Sequence, residues 1–238
     1  EAGAEWVQVD EPYLALDVSD EAKAAYQTAY AALNASGLKL MLTTYFAGLR
    51  DNAALAFGLG TAGGHVDLVR EPGQLDTVLK AVQPQQVLSL GVVDGRNIWK
   101  TDFAAALALL TKAKSALGIE RVVVAPSCSL LHSPVDLIHE TRLDDELKQW
   151  LAFGQQKLEE IGVLASALRD ASNVQPALDA NAQAIAARRS STRIHNEAVK
   201  ARYAAITENM LARKNPFANR VKAQEALLKL PLLPTTTI

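Results

Sequence analysis

The chain has 238 residues, 49% hydrophobic and 21% charged, which is enough apolar material for a large core and enough charge for ordinary solubility. A formal net charge of −2 gives no general attraction to nucleic acid or to an anionic membrane, so neither is expected as a partner. The single cysteine, Cys128, rules out an intrachain disulfide and fits a reducing, cytoplasmic setting, and no apolar run reaches the ~18–20 residues that span a bilayer.

In chain order, "EWVQVD" (5–10) reads as a strand that stops at Asp10, Glu11 and Pro12, because proline cannot donate to a ladder. Ser19 or Asp20 caps a helix over "EAKAAYQTAYAALNAS", which Gly37 closes. "LKLMLTTYF" (38–46) is a second strand, followed by a short helix over "DNAALAFGL". "HVDLV" (65–69) is a third strand and "GQLDTVLKAV" a helix; "QVLSLGVV" (86–93) is a fourth strand. Thr101 caps a helix over 101–117 that Gly118 stops, and "RVVVAPS" (121–127) is the fifth strand.

The strands are near-continuously apolar, the pattern expected where both faces of a parallel sheet are covered. The βαβ succession predicts an α/β fold with five parallel strands, more than half of an eight-stranded barrel. An open doubly wound sheet fits the same pattern, although no glycine-rich nucleotide loop follows any strand.

After residue 134 the character turns helical. Apolar residues keep helical spacing over 143–170 with Gly154 inside, and further helical segments fall near 175–188, 195–213 and 216–229. The organisation expected is therefore βα units over 1–134, a helical region over 135–229 and an extended linker over 230–238. The first residues, "EAGAEW", carry neither the basic start nor the apolar segment of a signal peptide, and both ends read as cut from something longer.

Functional residues of parallel α/β folds gather at the C-terminal strand ends. Here those ends hold Asp10 and Glu11, Thr43–Thr44–Tyr45, Arg70, the loop "DGRNIW" with Asn97, and Ser127–Cys128–Ser129 with His132. Asp10 and Glu11 can serve as acid and base or hold an amine; the plainer reading is a cap or ion pair at the rim. Cys128 with His132 has the residue types of a thiol and its base, but a lone cysteine is more often a small core residue. The four histidines show no short metal-ligand spacing, and Arg188, Arg189 and Arg193 read as a solvated or ion-paired helical face.

The motifs "EWVQVDEP", "LMLTTYF", "HVDLV", "GVVDGRNIW", "SCSLLHSP", "ETRLD", "ARRSSTRIHN" and "LPLLPTTTI" resemble cobalamin-independent methionine synthase in register from end to end. The resemblance covers the latter part of that family's N-terminal domain and the linker to its catalytic domain. It implies a partial TIM-type (βα)8 barrel followed by helices. It further implies a fragment of an enzyme that moves a methyl group from 5-methyltetrahydrofolate polyglutamate to homocysteine, on a zinc held by the missing catalytic barrel.

The two barrels of the family are related by duplication, which allows a comparison of positions. Where the catalytic barrel has two zinc ligands at a strand end, this chain has Thr43–Thr44–Tyr45; a third ligand is comparable to Arg70; only Cys128 matches a ligand. The resemblance thus implies no zinc in this chain, no activity of the isolated chain, and the missing parts of the same enzyme as its partner. Asp10, Glu11, Asn97 and Cys128 are rim candidates, and Ile238 marks the start of the homocysteine-binding Ile-Gly-Ser segment. The alternative is a non-catalytic stand-alone module that binds a folate or another small ligand.

Overall fold

The computed structural model describes residues 3–235, so Ile238 lies outside the described residues. Contacts divide the chain into two compact units, Glu1–Ser190 and Ser191–Ile238.

The first unit is built on five parallel strands in sequential order, β1 (Trp6–Asp10), β2 (Lys39–Thr43), β3 (Gly63–Asp67), β4 (Val87–Val93) and β5 (Val122–Pro126). Each strand pairs with the next along the chain, and among the described residues β1 and β5 are the two edges of an open sheet. This is the order of consecutive strands in a barrel rather than of a doubly wound sheet, in which the order reverses at a switch point. The fold is therefore α/β with the arrangement of a partial TIM-type barrel.

The helices follow from ordinary local chemistry. α1 (Asp20–Asn34) starts at Ser19, whose hydroxyl accepts the Ala22 N–H, and Gly37 at φ 76° turns the chain back toward β2. α2 (Ala53–Gly58) and α3 (Leu75–Ala81) are short and follow β2 and β3. α4 (Phe103–Leu117) begins at Asp102 instead of Thr101, and the Asp102 carboxylate accepts the Ala105 N–H. Thr101 is engaged elsewhere: both its N–H and its hydroxyl donate to Glu160.

The helical pattern over 143–170 is interrupted. α5 (Asp145–Gln149) ends before four buried residues, Trp150–Phe153, and α6 (Gly154–Arg169) begins at the glycine expected to lie inside one helix. Two contacts force the break. Leu151 bridges Trp99, and a Cβ on Gly154 would stand 3.3 Å from the Pro134 carbonyl oxygen, to which the Gly154 N–H donates. α6 packs on β4 and β5, and so serves as the helix of the fifth βα unit; α7 (Gln175–Ser190) packs on α4.

The core lies between the sheet and these helices. Leu42, Val66, Leu88 and Leu90 project from the outer face of the sheet into a cluster with Tyr30, Phe57 and Leu110. The other face is different: Gln8, Asp10, Thr43, His65, Ser89 and Ala125 line an open concavity. The expectation of strands apolar on both faces is corrected here. β3 reads Gly63-Gly64-His65-Val66-Asp67, alternating small or polar residues toward the concavity with residues facing the helices. It also ends two residues before the expected "HVDLV", because the Asp67 carboxylate accepts the Val69 and Arg70 N–H groups and turns the chain.

The second unit consists of α8 (Glu197–Ala204), α9 (Glu208–Leu211) and α10 (Phe217–Leu228), none of which contains a buried residue. The single helix expected over 195–213 is broken between α8 and α9 at Ala205–Thr207. No helix among the described residues is long and apolar enough to cross a membrane.

Candidate functional site

The concave face holds a cavity of about 540 Å³ at the C-terminal ends of the strands. Its walls come from all five strands and from the loops after β2 and β5. Gly91 cannot carry a side chain, because its Cβ would stand 2.7 Å from the Ser127 Cα and 3.0 Å from the Val66 carbonyl oxygen.

His65 sits on the floor, 6% exposed, with Nδ1 2.9 Å from the Ser89 hydroxyl and Nε2 3.4 Å from the Ser127 carbonyl. Burial lowers its pKa, against a smaller upward pull from the Ser127 contact and the Asp67 and Asp10 carboxylates, so the neutral ring is favoured. The sequence offered one signal for this role: a histidine, preceded by two glycines, within a strand.

The two adjacent acids part company. Asp10 lines the cavity and accepts hydrogen bonds from the Gln8 amide at 2.7 Å and the Tyr45 hydroxyl at 3.3 Å. Glu11 turns toward α1, where the hydroxyls of Tyr26 and Tyr30 donate to its two oxygens at 2.9 and 3.0 Å. Burial, and then the bond to Glu11, raise both phenol pKa values well above the usual tyrosine range. Glu11 thus clamps the rim to α1 through two phenol hydrogen bonds and makes no side-chain cap.

Cys128 lines the cavity too, but its thiol donates to the Ser129 carbonyl at 3.7 Å, and the His132 ring packs edge-on against Phe46 at 6.1 Å. Burial raises the Cys128 pKa, the opposite of what an activated nucleophile needs. Asn97 lies in the loop after β4; it donates to Asp94 and accepts from the Trp99 N–H and from Lys157. That makes it a loop brace rather than a cavity wall.

Several structural groups around the site had no sequence signal. Asp67 is 1% exposed and spans two loops, accepting the Phe46 N–H as well as those of Val69 and Arg70. Phe46 holds φ 76°, a left-handed backbone that is costly for a bulky residue, and the Asp67 bond fixes it there with the Arg96 guanidinium 4.6 Å over its ring. Lys157 is fully buried, with its ammonium on Asn97 and the Trp99 carbonyl; burial lowers its pKa, and burial raises that of Glu160 one turn further along α6. Of the arginine group, Arg188 stacks on Trp99 at 3.9 Å and Arg189 pairs with Asp102 at 2.7 Å, so these two serve packing within the first unit.

Fold and site together define a class: part of a parallel α/β barrel, polar on its concave side, with a cavity at the C-terminal strand ends. Sequence comparison makes the assignment particular. Residues 1–118 match the family described as cobalamin-independent synthase, N-terminal domain. The whole chain is 52% identical over 240 residues to 5-methyltetrahydropteroyltriglutamate–homocysteine methyltransferases of Caulobacter vibrioides and of a Chelativorans species. The chain belongs to the cobalamin-independent methionine synthase family, and it spans 31% of the length of these curated relatives.

Proposed function

We propose that this chain is a structural section of a methyltransferase that passes a methyl group from a 5-methyltetrahydrofolate polyglutamate to homocysteine, and that it carries no catalytic zinc of its own. In the intact enzyme it would brace the catalytic barrel and help close the substrate cleft. The observation that carries this reading is the end-to-end identity with relatives named for that reaction, over 31% of their length.

The rim chemistry supports the zinc half of the proposal. A thiolate-based zinc site needs deprotonated sulfur and three or four converging ligands. Here the Cys128 thiol is held protonated by burial, Tyr45 is bonded to Asp10, and the Arg70 position brings a cation. The residues present do not fit a zinc centre.

The test is a methyl-transfer assay on the 238-residue chain, with zinc, homocysteine and the triglutamate folate supplied. No methionine above the enzyme-free control is expected, and less than about a tenth of a zinc per chain should survive dialysis. Turnover at the rate of an intact relative, or stoichiometric zinc lost on Cys128→Ser, would overturn the proposal. The cavity favours one second reading, a binding module without catalysis, and micromolar binding of the triglutamate folate by this chain would select it.

A further inference from the structure

A strand-end loop presents its side chains accurately only where neighbouring elements fix it. The loop after β4, residues 94–102, is fixed by two helices that come later in the chain. From α6, the Lys157 ammonium donates to the Asn97 side-chain oxygen at 3.3 Å and to the Trp99 carbonyl at 3.2 Å. Glu160, on the same helix, accepts the Thr101 N–H at 3.0 Å and the Thr101 hydroxyl at 2.7 Å. From α7, Asn181 accepts the Phe103 N–H and donates to the Thr101 carbonyl. Asn97 in turn holds Asp94, which accepts the Arg96 N–H, and the Arg96 guanidinium lies over Phe46 in the loop after β2.

These hydrogen bonds do not by themselves call for ions, because every group that Lys157 and Glu160 bond is neutral. Yet both side chains are out of water, Lys157 at 0% and Glu160 at 5% exposed. A buried charge with no opposite charge near it is strongly destabilising. The two stand one turn apart on α6 and are opposite in sign. Burial pushes each toward its neutral form, and each draws the other back toward its charged form. The other groups facing them contribute less: Asp94 and the Cys128 thiol at Lys157, and half-buried Lys100 at Glu160. Lys148 and Glu159 border the hollow beside Glu160, and from α7 Arg188 lies over Trp99 while Arg189 pairs with Asp102.

We propose that Lys157 and Glu160 act as one charge couple that positions the rim loop after β4, each ion offsetting the other, so that the loop is firmly held only while both charges are present or both are absent. Both are positioning residues, acting on the rim through Asn97, Trp99 and Thr101. The proposal concerns the interior of the first unit and does not depend on methyl transfer.

The experiment is a double-mutant cycle on the 238-residue chain with Lys157→Met and Glu160→Gln, followed by urea unfolding and by exchange protection of the Trp99 and Thr101 amides. At pH 7 each single variant should raise the unfolding equilibrium constant about a hundredfold, and the double variant should recover at least about tenfold of that loss. Lys100→Met should cost under about threefold.

The pH response separates a charge couple from plain packing, and reading each single variant against the double variant at the same pH cancels all other titrations. In Glu160→Gln the lone Lys157 has a folded pKa below the unfolded lysine value of about 10.4, so its gap to the double variant should narrow from pH 7 toward about pH 9. In Lys157→Met the lone Glu160 has a folded pKa above the unfolded glutamate value of about 4.3, so its gap should narrow from pH 7 toward about pH 5. A single variant that fails to fold at pH 7 while the double variant folds would support the couple. A double variant no more stable than the weaker single, or itself unfolded, would overturn it. So would gaps that do not narrow in these opposite directions, or a hundredfold loss in Lys100→Met, which would make Lys100 the counter-ion.

Discussion

The two faces of one sheet follow opposite rules. On the outer face Val66, Leu88 and Leu90 are 0% exposed and packed under helices, whereas on the concave face Trp6 remains 40% and Val123 42% exposed at the β1 and β5 edges. The outer face holds the packed core, and the inner face holds small and polar side chains. Parallel strands covered on both sides read as apolar on both; these strands carry bulk on one side and small or polar residues on the other.

The largest effect that could break this contrast lies on the outer face. Leu90→Ala removes a fully buried side chain from the cluster and should cost about 2–5 kcal/mol in urea unfolding. A cost below about 1 kcal/mol would mean that the outer face is not the principal core. Gly91→Ala, one residue along the same strand, tests the inner face. Its methyl group would push against backbone at Ser127 and Val66, so a loss of about 1–3 kcal/mol is expected from strain. A neutral result would show that β4 and β5 can move apart, and that the hollow is softer than the glycine contacts imply.

The smallest effect is a pH dependence. The folded-state pKa of His65 is depressed by burial, so the unfolded chain binds the proton more readily. The stability contributed by neutral His65 is present above the unfolded histidine pKa of about 6.5 and is lost as pH falls through the lower folded value. Unfolding midpoints should decline on acidification below about pH 6.5 in the native chain, and less steeply in His65→Gln. Identical pH profiles for the two chains would count against a neutral histidine on the cavity floor.

The legible parts of the sequence were those governed by local chemistry. Ser19 before an alanine-rich amphipathic run, and glycines at 37 and 118, place helix ends without knowledge of the fold. The parts that misled were set by distant partners. Thr101 has the right side chain for a cap, but Glu160, far along the chain, takes both of its donors. Gly154 looks like a tolerated interior glycine until the Pro134 carbonyl occupies the space beside it. At the site, the strand-end rule named Asp10, Glu11, Asn97 and Cys128 alike; Asp10 and Cys128 line the cavity, whereas Glu11 turns to α1 and Asn97 braces the loop after β4. His65 and Asp67 were hidden because their importance depends on register with β2 and β4, where His65 lies level with Thr43 and Ser89.

The opposite orientations of Asp10 and Glu11 make neighbouring codons mutationally independent. A change at position 11 is felt by two phenols and the seating of the first helix, and one at position 10 by the Gln8 amide and the Tyr45 hydroxyl. The polarity of this strand tip can therefore change at position 10 without loosening its anchorage to the first helix, one base change at a time.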